Sequence, residues 1–436
     1  MIPKKFELCR GGELIVLGTD KFKTETLTVT LTLPRRQRSA RLASLLFAVL
    51  KKGCRAYPSV VALNSHLDDL YDSNIATMYS TTGQMASVGF AIECLDRECV
   101  PGREDVLRGT VKTLEDMLFD PLLDENGLFS VKTLEREKKN LCDSIRASDN
   151  DPKVHSYQLC RSMLFEGEEY GKRSVGTVED VMAVTASDIT EFYKEFLCGP
   201  APTFFYVGKR APDQVLAIAE EFASRIGAEA REKSESVIRP FEGDLRAVEE
   251  EMSVLQGKLT LGFRADIDTT DPDLYGAIIF NDIFGGAPYS KLFQNVREKK
   301  SLCYYCSSAY DLFAGALFVR SGISNENKDI VESEIISWFE AIKNGDVSVY
   351  ELECSKRSIE NYYKQICDSP YLLENFHRSR LISGMDVTLS ESIENIRRVT
   401  KDDVVRAARR FTLGASAFVR GTLAPEDDYE EGEEDE

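Results

Sequence analysis

The chain has 436 residues, more than one ordinary hydrophobic core accommodates, so two domains of about 200 residues are expected. Its apolar fraction of 43% is that of a folded globular protein. The formal net charge of −19 argues against a nucleic-acid partner, because phosphate binding needs clustered Lys and Arg. No apolar stretch approaches the length of a membrane span, and the start, MIPKKFELCRGGELIV, lacks a signal-peptide core. The sequence therefore predicts a cytoplasmic protein with no membrane contact.

The first half, residues 1–227, contains a regular series of predicted elements. TLTVTLTL at 26–33 alternates strictly, as a strand with one buried face does. An apolar helix at 41–50 follows, then a shorter helix, a strand and a hairpin that includes GFAI at 89–92. Near the end, Thr185 heads a helix with an acid in its first turn, a pattern typical of an N-terminal cap. The helix leads into a closing strand, TFFYVG.

Residues 228–251 are charged and poor in apolar side chains, which predicts an interdomain linker. The second half, 252–424, then repeats the first. Its strand KLTLGFRA, apolar helix at 274–284, hairpin strand LFVRSG, cap at Thr400 and closing strand SAFVRG follow in the same order. This order predicts one fold duplicated, with two α+β halves whose antiparallel sheets are packed with helices.

The last eleven residues, EDDYEEGEEDE, carry nine carboxylates and no base. Such a run repels itself and has little to bury, so 425–436 is predicted to be an acidic disordered tail.

Eleven cysteines are scattered through the chain, and an odd number cannot all pair within it. Reduced, buried thiols are the preferred interpretation. Two close pairs, Cys94 with Cys99 and Cys303 with Cys306, lie far apart in strand-like sequence, unlike the ligands of a zinc ribbon.

Residues 285–305, GGAPYSKLFQNVREKKSLCYY, form the most specific segment of the chain. They closely resemble the C-terminal-half signature of the pitrilysin/insulinase family, the inverzincin metallopeptidases that include the mitochondrial-type processing peptidases. In that signature a Gly-rich turn precedes an S-x-L-F helix and then R-E-K-x-x-L-x-Y. The resemblance covers nearly the whole chain and implies that the two halves form a clam-shell around a chamber.

The resemblance also implies roles for individual residues. Arg297 and Tyr304 match the residues with which the family grips the carbonyl groups of its substrate, and Gly285, Gly286 and Ser290 match the substrate-binding turn before them. Arg suits this task because its donors lie in a fixed fork, and Tyr offers a neutral donor toward a developing oxyanion. The alternative from the residues alone is an Arg297–Glu298 pair at a helix end and a Tyr304 that only fills a strand.

The zinc site of the family is missing from the first half. Catalytic members carry H-x-x-E-H on the apolar helix, which places two zinc-ligating histidines on one helical face. Alignment on the following Lys-Gly turn places Ser44 and Ala48 at the histidine positions and Phe47 at the position of the catalytic Glu. The third ligand, a Glu on a later helix, is replaced by Ser144. The chain is therefore predicted to hold no zinc and no other cofactor.

These observations predict a non-catalytic subunit of a two-subunit zinc peptidase of the bacterial type. A homologous partner with H-x-x-E-H would supply zinc, and this chain would supply Arg297 and Tyr304 for the processing of short or unfolded peptides. The chain is not expected to be a peptidase by itself. The alternative is a structural or peptide-binding scaffold of the same fold with no peptidase role.

Overall fold

Two β-sheets organise the chain, one in each half, in a computed structural model that describes residues 3–227 and 238–423. The predicted linker residues 228–237 and the predicted acidic tail lie outside the described residues.

The first half runs from β1 to α8. Its elements are β1 Lys4–Glu7, β2 Glu13–Gly18, β3 Thr24–Pro34, α1 Gln37–Leu50, α2 Val60–Asp69, β4 Asn74–Thr82, β5 Met85–Leu95, α3 Val106–Phe119, α4 Val131–Asn150, α5 Pro152–Leu164, α6 Val178–Met182, α7 Ala186–Cys198, β6 Thr203–Gly208 and α8 Pro212–Ala223.

The second half runs from β7 to β11. Its elements are β7 Arg246–Met252, β8 Gly257–Arg264, α9 Leu274–Asn281, β9 Cys303–Asp311, β10 Ala316–Ile323, α10 Lys328–Lys343, α11 Val349–Ile366, α12 Pro370–Ser383, α13 Leu389–Arg398, α14 Lys401–Arg409 and β11 Thr412–Gly421. Two wide helical segments of the π type, Asp282–Gly286 and Leu292–Lys299, lie between α9 and β9.

The strand orders of the two sheets show the duplication directly. The first sheet has the order β1-β2-β6-β3-β5-β4 and the second has β7-β11-β8-β10-β9, so five strands match position for position. Most neighbouring pairs are antiparallel, but β2 with β6 and β7 with β11 are parallel. The predicted fold class, two duplicated α+β halves, is confirmed, with one parallel pair in each sheet that the sequence did not reveal.

Strand β7 corrects the predicted linker. Residues Arg246–Met252 pair with β11 at the edge of the second sheet, so the prediction of a linker over 228–251 is wrong for its last six residues. Strand β7 occupies the place that β2 has in the first sheet, so the repeated unit begins there. Its sequence RAVEEEM is charged because an exposed edge strand tolerates charge, which also discourages pairing with other chains.

The two predicted helix caps are confirmed as capping boxes. Thr185 accepts a hydrogen bond from the backbone N–H of Asp188 at the start of α7, and Thr400 does the same with Asp403 at the start of α14. In each case the Asp side chain accepts in return from the backbone N–H of the Thr. The boxes satisfy backbone groups that a helix start otherwise leaves without partners.

A helix of each half packs on the sheet of the other half. Helix α5 of the first half lies on β8 and β11, where the Ser156 and Thr260 hydroxyls are 2.6 Å apart in a buried hydrogen bond. Helix α12 of the second half lies on β3, β4 and β6, where the hydroxyl of Thr28 donates to Glu374. The free faces of both sheets are covered in this way, and the halves form one packed body.

This packing changes the expectation for β3. The alternation in TLTVTLTL predicted one buried face and one solvated face, but Thr28 and Thr30 on the second face are also buried. The hydroxyl of Thr30 donates to the backbone carbonyl of Thr203, so this face is polar without contacting water. The alternating sequence identified the strand correctly but did not reveal that its second face is covered by the other half of the chain.

Within the two described ranges, no helix is long and apolar enough to cross a membrane.

The packing of α5 on the second sheet predicts a sharp steric effect at Gly262 of β8. A Cβ atom there would lie 2.9 Å from the Cys160 Sγ atom and 3.0 Å from a methyl carbon of Leu164, both on α5. We expect Gly262→Val to destabilise the fold by about 1–3 kcal/mol because neither buried neighbour has space to move. Urea unfolding of the full chain measures this loss.

Gly18→Val is the matched control, because a Cβ atom at Gly18 would meet nothing within 4 Å. An unfolding midpoint that drops equally in both variants would contradict the packing account.

Candidate functional site

Arg297 lies on the wide helix Leu292–Lys299, which packs against β9. Helices of this type are rare and occur often at functional sites, because the wider turn changes the direction of the side chains that follow. The helix ends in a tight turn in which the N–H of Ser301 donates to the carbonyl of Arg297, with Ser301 at a positive φ of 50°. This turn leads directly into β9 and brings Arg297 to the start of the strand that carries Tyr304.

Tyr304 occupies a β-bulge on an edge strand. In the pairing of β9 with β10, Tyr305 lies opposite Gly322 and Cys303 lies opposite Ile323, so Tyr304 is the extra residue. Its exposed fraction is 74%, the highest of the tyrosines among the exposed large side chains. Bulges redirect side chains and are common beside active sites. The tyrosine therefore points into solvent rather than filling a strand position.

The contacts of Arg297 are weak. Its Nε atom lies 3.6 Å from Oε1 of Glu298, and its guanidinium lies over the ring of Phe293 at 4.5 Å from the centroid. The side chains of this ion pair are 39% and 51% exposed, so the pair adds little to stability. Glu298, which the alternative interpretation gives to Arg297 as its partner, does contact it. The contact nevertheless leaves most N–H donors of the guanidinium free to bind a ligand.

The bulge also places two thiols together. Because Cys303 lies opposite Ile323 and Cys306 lies opposite Ser321, both cysteines are on the same face of β9. The pKa of the Cys303 thiol is lowered, chiefly by a hydrogen bond with Cys306, although burial opposes the shift and the charge of Arg297 adds to it. The charge of Arg297 thus acts on the residue next to Tyr304.

Three residues predicted to bind substrate have different positions. Ser290 is fully buried, and its hydroxyl accepts a hydrogen bond from the N–H of Phe293 at the start of the wide helix. Gly285 is buried against β9, where a Cβ atom would lie 2.8 Å from the backbone nitrogen of Ser308. Ser290 therefore supports the start of its own helix and Gly285 allows the wide helices to pack closely on β9, and their role in substrate binding stays a prediction. Gly286 is exposed.

The degenerate histidine positions lie on α1. Ser44 is half-buried and its hydroxyl donates to the carbonyl of Ala40, one turn earlier, and Ala48 is also half-buried. Phe47, at the position of the catalytic Glu, is only 2% exposed and packs against Phe90 and Phe196 with ring centroids 4.7 and 5.5 Å away. This helix face therefore offers one hydroxyl that is already bonded and no base.

The third ligand position is equally unsuited to zinc. Ser144 is exposed on α4. The buried acid of this helix is Glu137, whose Oε1 atom lies 3.2 Å from the ammonium nitrogen of Lys52. Burial opposes ionisation of Glu137, but hydrogen bonds from Asn140, Lys52 and Arg136 lower its pKa. Its carboxylate is thus neutralised by the protein itself, and no group of His, Cys, Asp and Glu among the described residues could hold a metal ion.

The structure does not bring the two sets of residues together within this chain. Among the contacts of residues 3–227 and 238–423, no hydrogen bond or ion pair joins Arg297 or Tyr304 to Ser44, Phe47, Ala48 or Ser144. Sequence reasoning missed the bulge and the wide helices. The one signal for the bulge in the sequence was the pair of adjacent tyrosines, Tyr304 and Tyr305. Adjacent residues of a regular strand point to opposite faces, so one of the two rings had to face away from the core.

The chain is similar to inactive peptidases in sequence. Residues 183–359 match the family model described as the Peptidase M16 inactive domain. A Bacillus subtilis protein described as the probable inactive metalloprotease YmfF is 29% identical over 411 residues, which cover 93% of this chain and 95% of that protein. YmxG of the same organism, described as an uncharacterized zinc protease, is 22% identical over 301 residues, or 68% of this chain and 71% of that protein.

Solved structures share the whole fold. A conserved protein from Enterococcus faecalis has a TM-score of 0.88 at 27% identity and covers 98% of this chain and 100% of that chain. An M16 inactive domain from Pseudomonas fluorescens has a TM-score of 0.80 at 17% identity over 98% of this chain and all of that chain, which shows the fold alone. The chain is thus similar in sequence and fold to peptidases of the M16 family, and the family model and the YmfF relative that it matches are described as inactive.

The site geometry predicts that the chain alone does not retain zinc. We expect metal analysis of the purified chain, after exposure to zinc and dialysis, to find far less than one zinc per chain, because the required histidine and carboxylate ligands are absent. A homologue with H-x-x-E-H treated in parallel is the positive control. One tightly held zinc per chain would contradict the assignment of Ser44, Ala48 and Ser144 as the former ligand positions.

Proposed function

We propose that this chain is the non-catalytic subunit of a heterodimeric zinc metalloendopeptidase that processes short or unfolded peptides. In this proposal a homologous partner supplies zinc and the catalytic Glu of H-x-x-E-H. This chain supplies Arg297 and Tyr304, which bind the substrate opposite the partner's metal. The complex acts in the cytoplasm.

The main support for the proposal is that the Tyr304 side chain is exposed at the surface. A large aromatic side chain that is 74% exposed at a bulge contributes little to folding, because burial of apolar area is what stabilises such side chains. The wide helix holds Arg297 beside the same strand, with only a loose ion pair to Glu298. A permanent cation and a phenol held next to each other suit the carbonyl oxygens of a peptide.

The changes at the former metal site support a division of labour. Phe47 is part of the core, and Glu137 is paired with Lys52, so the first half has been stabilised without metal. A substrate grip is useful to a peptidase only when a metal or another catalyst lies opposite it. Because the residues that the structure describes include no group that could hold a metal ion, the proposal assigns the metal to the partner.

The relatives are consistent with two kinds of subunit. Bacillus subtilis has both a protein described as a probable inactive metalloprotease and one described as a zinc protease, and both are similar to this chain. Similar folds in both subunits would allow them to face one another as the two halves of one shell. A closed chamber of this kind would admit short or unfolded peptides and exclude folded proteins.

The proposal predicts a loss of activity when either gripping residue is changed. In the purified complex with the zinc-bearing homologue, we expect Tyr304→Phe and Arg297→Ala each to lower kcat/KM for a peptide substrate by about 10²-fold, because each removes a donor to the developing oxyanion or substrate carbonyl. Steady-state cleavage of a fluorogenic peptide measures the effect.

Lys299→Ala, which removes another exposed cation from the same wide helix, and Tyr350→Phe, which changes an exposed tyrosine on α11, are the controls. Full activity in the Tyr304 and Arg297 variants would contradict the proposed grip. A scaffold without peptidase role is the alternative, and it predicts that no zinc-bearing homologue co-purifies with the chain.

A further inference from the structure

A cavity of about 550 Å³ lies between α9, α11 and α12, next to the turn that contains Gly286. This volume falls within the range of about 300–1,000 Å³ that is usual for small-molecule sites. Much of the wall is aromatic, from residues of four different segments: Tyr310, Phe313, Tyr362, Tyr363 and Phe376. The zinc and grip positions described above, apart from Gly286, do not line this cavity.

Among the residues that the structure describes, Arg380 is the only Lys or Arg that lines the cavity. It is 8% exposed, and its guanidinium lies over the ring of Phe376 at 3.3 Å from the centroid. One terminal nitrogen donates to the carbonyl of Phe376, and the Nε atom is buried without a hydrogen-bond partner. Among the described residues, no carboxylate forms an ion pair with Arg380.

A buried guanidinium without an anion is costly. Removing a charge from water costs several kcal/mol unless an opposite charge and hydrogen bonds replace the lost solvation. Burial lowers the pKa of Arg380, while interactions with the phenols of Tyr363 and Tyr275 oppose that shift. Neutral phenols and one carbonyl do not supply a negative charge, so the cavity retains an unmatched cation.

Asp282, the acid in the cavity wall, is not the counter-charge of Arg380. Asp282 accepts a hydrogen bond from the hydroxyl of Tyr289 and forms no ion pair with Arg380. Burial raises the pKa of Asp282, although the hydrogen bond from Tyr289 acts against this shift. Apart from Asp282, which is bonded to Tyr289, the described residues of the cavity wall therefore present Arg380 and uncharged groups.

Arg378, two residues away on α12, is also buried, but it is paired with a carboxylate in the usual way. Its Nε atom lies 2.7 Å from Oε1 of Glu374, and both side chains are almost completely buried. It also donates to Ser80 of the first half and to Asn375. Arg378, which joins the two halves, thus has an acidic partner within the chain. Arg380, beside the cavity, has no such partner among the described residues.

We propose that this cavity binds a small organic carboxylate with an apolar or aromatic body, and that Arg380 pairs with its carboxylate group. A guanidinium fork matches the two oxygens of a carboxylate, and the aromatic wall matches the body of the ligand. A single cation with no second Lys or Arg in the wall favours a monovalent carboxylate over a phosphate. The carboxylate can belong to a free acid or to the C-terminus of a peptide.

The test compares acids with their own amides, using the full chain without any partner. The probes are 4-phenylbutyrate with 4-phenylbutyramide, octanoate with octanamide, and the tripeptide Ala-Ala-Phe with a free or an amidated C-terminus. Isothermal titration calorimetry measures each affinity. We expect at least one acid to bind about ten-fold more tightly than its amide, because a charge-assisted pair replaces a neutral hydrogen bond.

Two variants identify the site. Arg380→Gln should remove the preference for the acid and leave the affinity for the amide nearly unchanged. Ser358→Trp, which adds bulk at the cavity wall on α11, should weaken acid and amide alike and still applies if the first variant does not fold. Arg357→Gln is the control, since Arg357 is exposed on the same helix and does not line the cavity.

Each result of the titrations leads to a different conclusion about the ligand. A preference shown only by the tripeptide assigns the ligand as a peptide C-terminus, and one shown only by the free acids assigns a small metabolite. Equal affinities for every acid and amide, no saturable binding by any acid, or a preference that persists in Arg380→Gln would overturn the proposal. Because no partner is present, the result is independent of the proposed peptidase role.

Discussion

The reciprocal packing of one helix from each half on the sheet of the other half determines most of this structure. Helix α5 covers the second sheet and α12 covers the first, so strands such as Thr203–Gly208 and Gly257–Arg264 are buried along their whole length. Polar contacts also lie at these interfaces, including the 2.7 Å pair between Arg264 and Glu168. The two sheets therefore behave as parts of one body.

A rigid body of this kind can support local departures from regular structure. The bulge at Tyr304 lies on the edge strand of the second sheet, and Gly285 allows the wide helices to pack closely against that strand. In the first half the former metal site has instead become ordinary core around Phe47. The first half has a buried Phe47 where the second half has an exposed Tyr304, and this asymmetry is what the proposed shared active site requires.

The sequence predicted the features that depend on local patterns. Alternation identified β3, the Thr185 and Thr400 caps followed from their side chains, and the internal repeat identified two matching halves. It failed where burial comes from distant segments. The charged strand β7 was assigned to a linker because its pairing with β11 is formed across more than 160 residues, and the motif around Ser290 did not indicate that this side chain is buried. The bulge at Tyr304 depends on strand register, which one strand alone does not specify.

The central claim is that this chain completes the active site of a zinc-bearing homologue. The most direct measurement is a titration of the purified chain into that homologue at fixed concentration, with peptide cleavage followed at each step. The account predicts that activity rises with added chain and saturates at one chain per zinc-bearing subunit. Cleavage by the homologue that is unchanged at every ratio would contradict it.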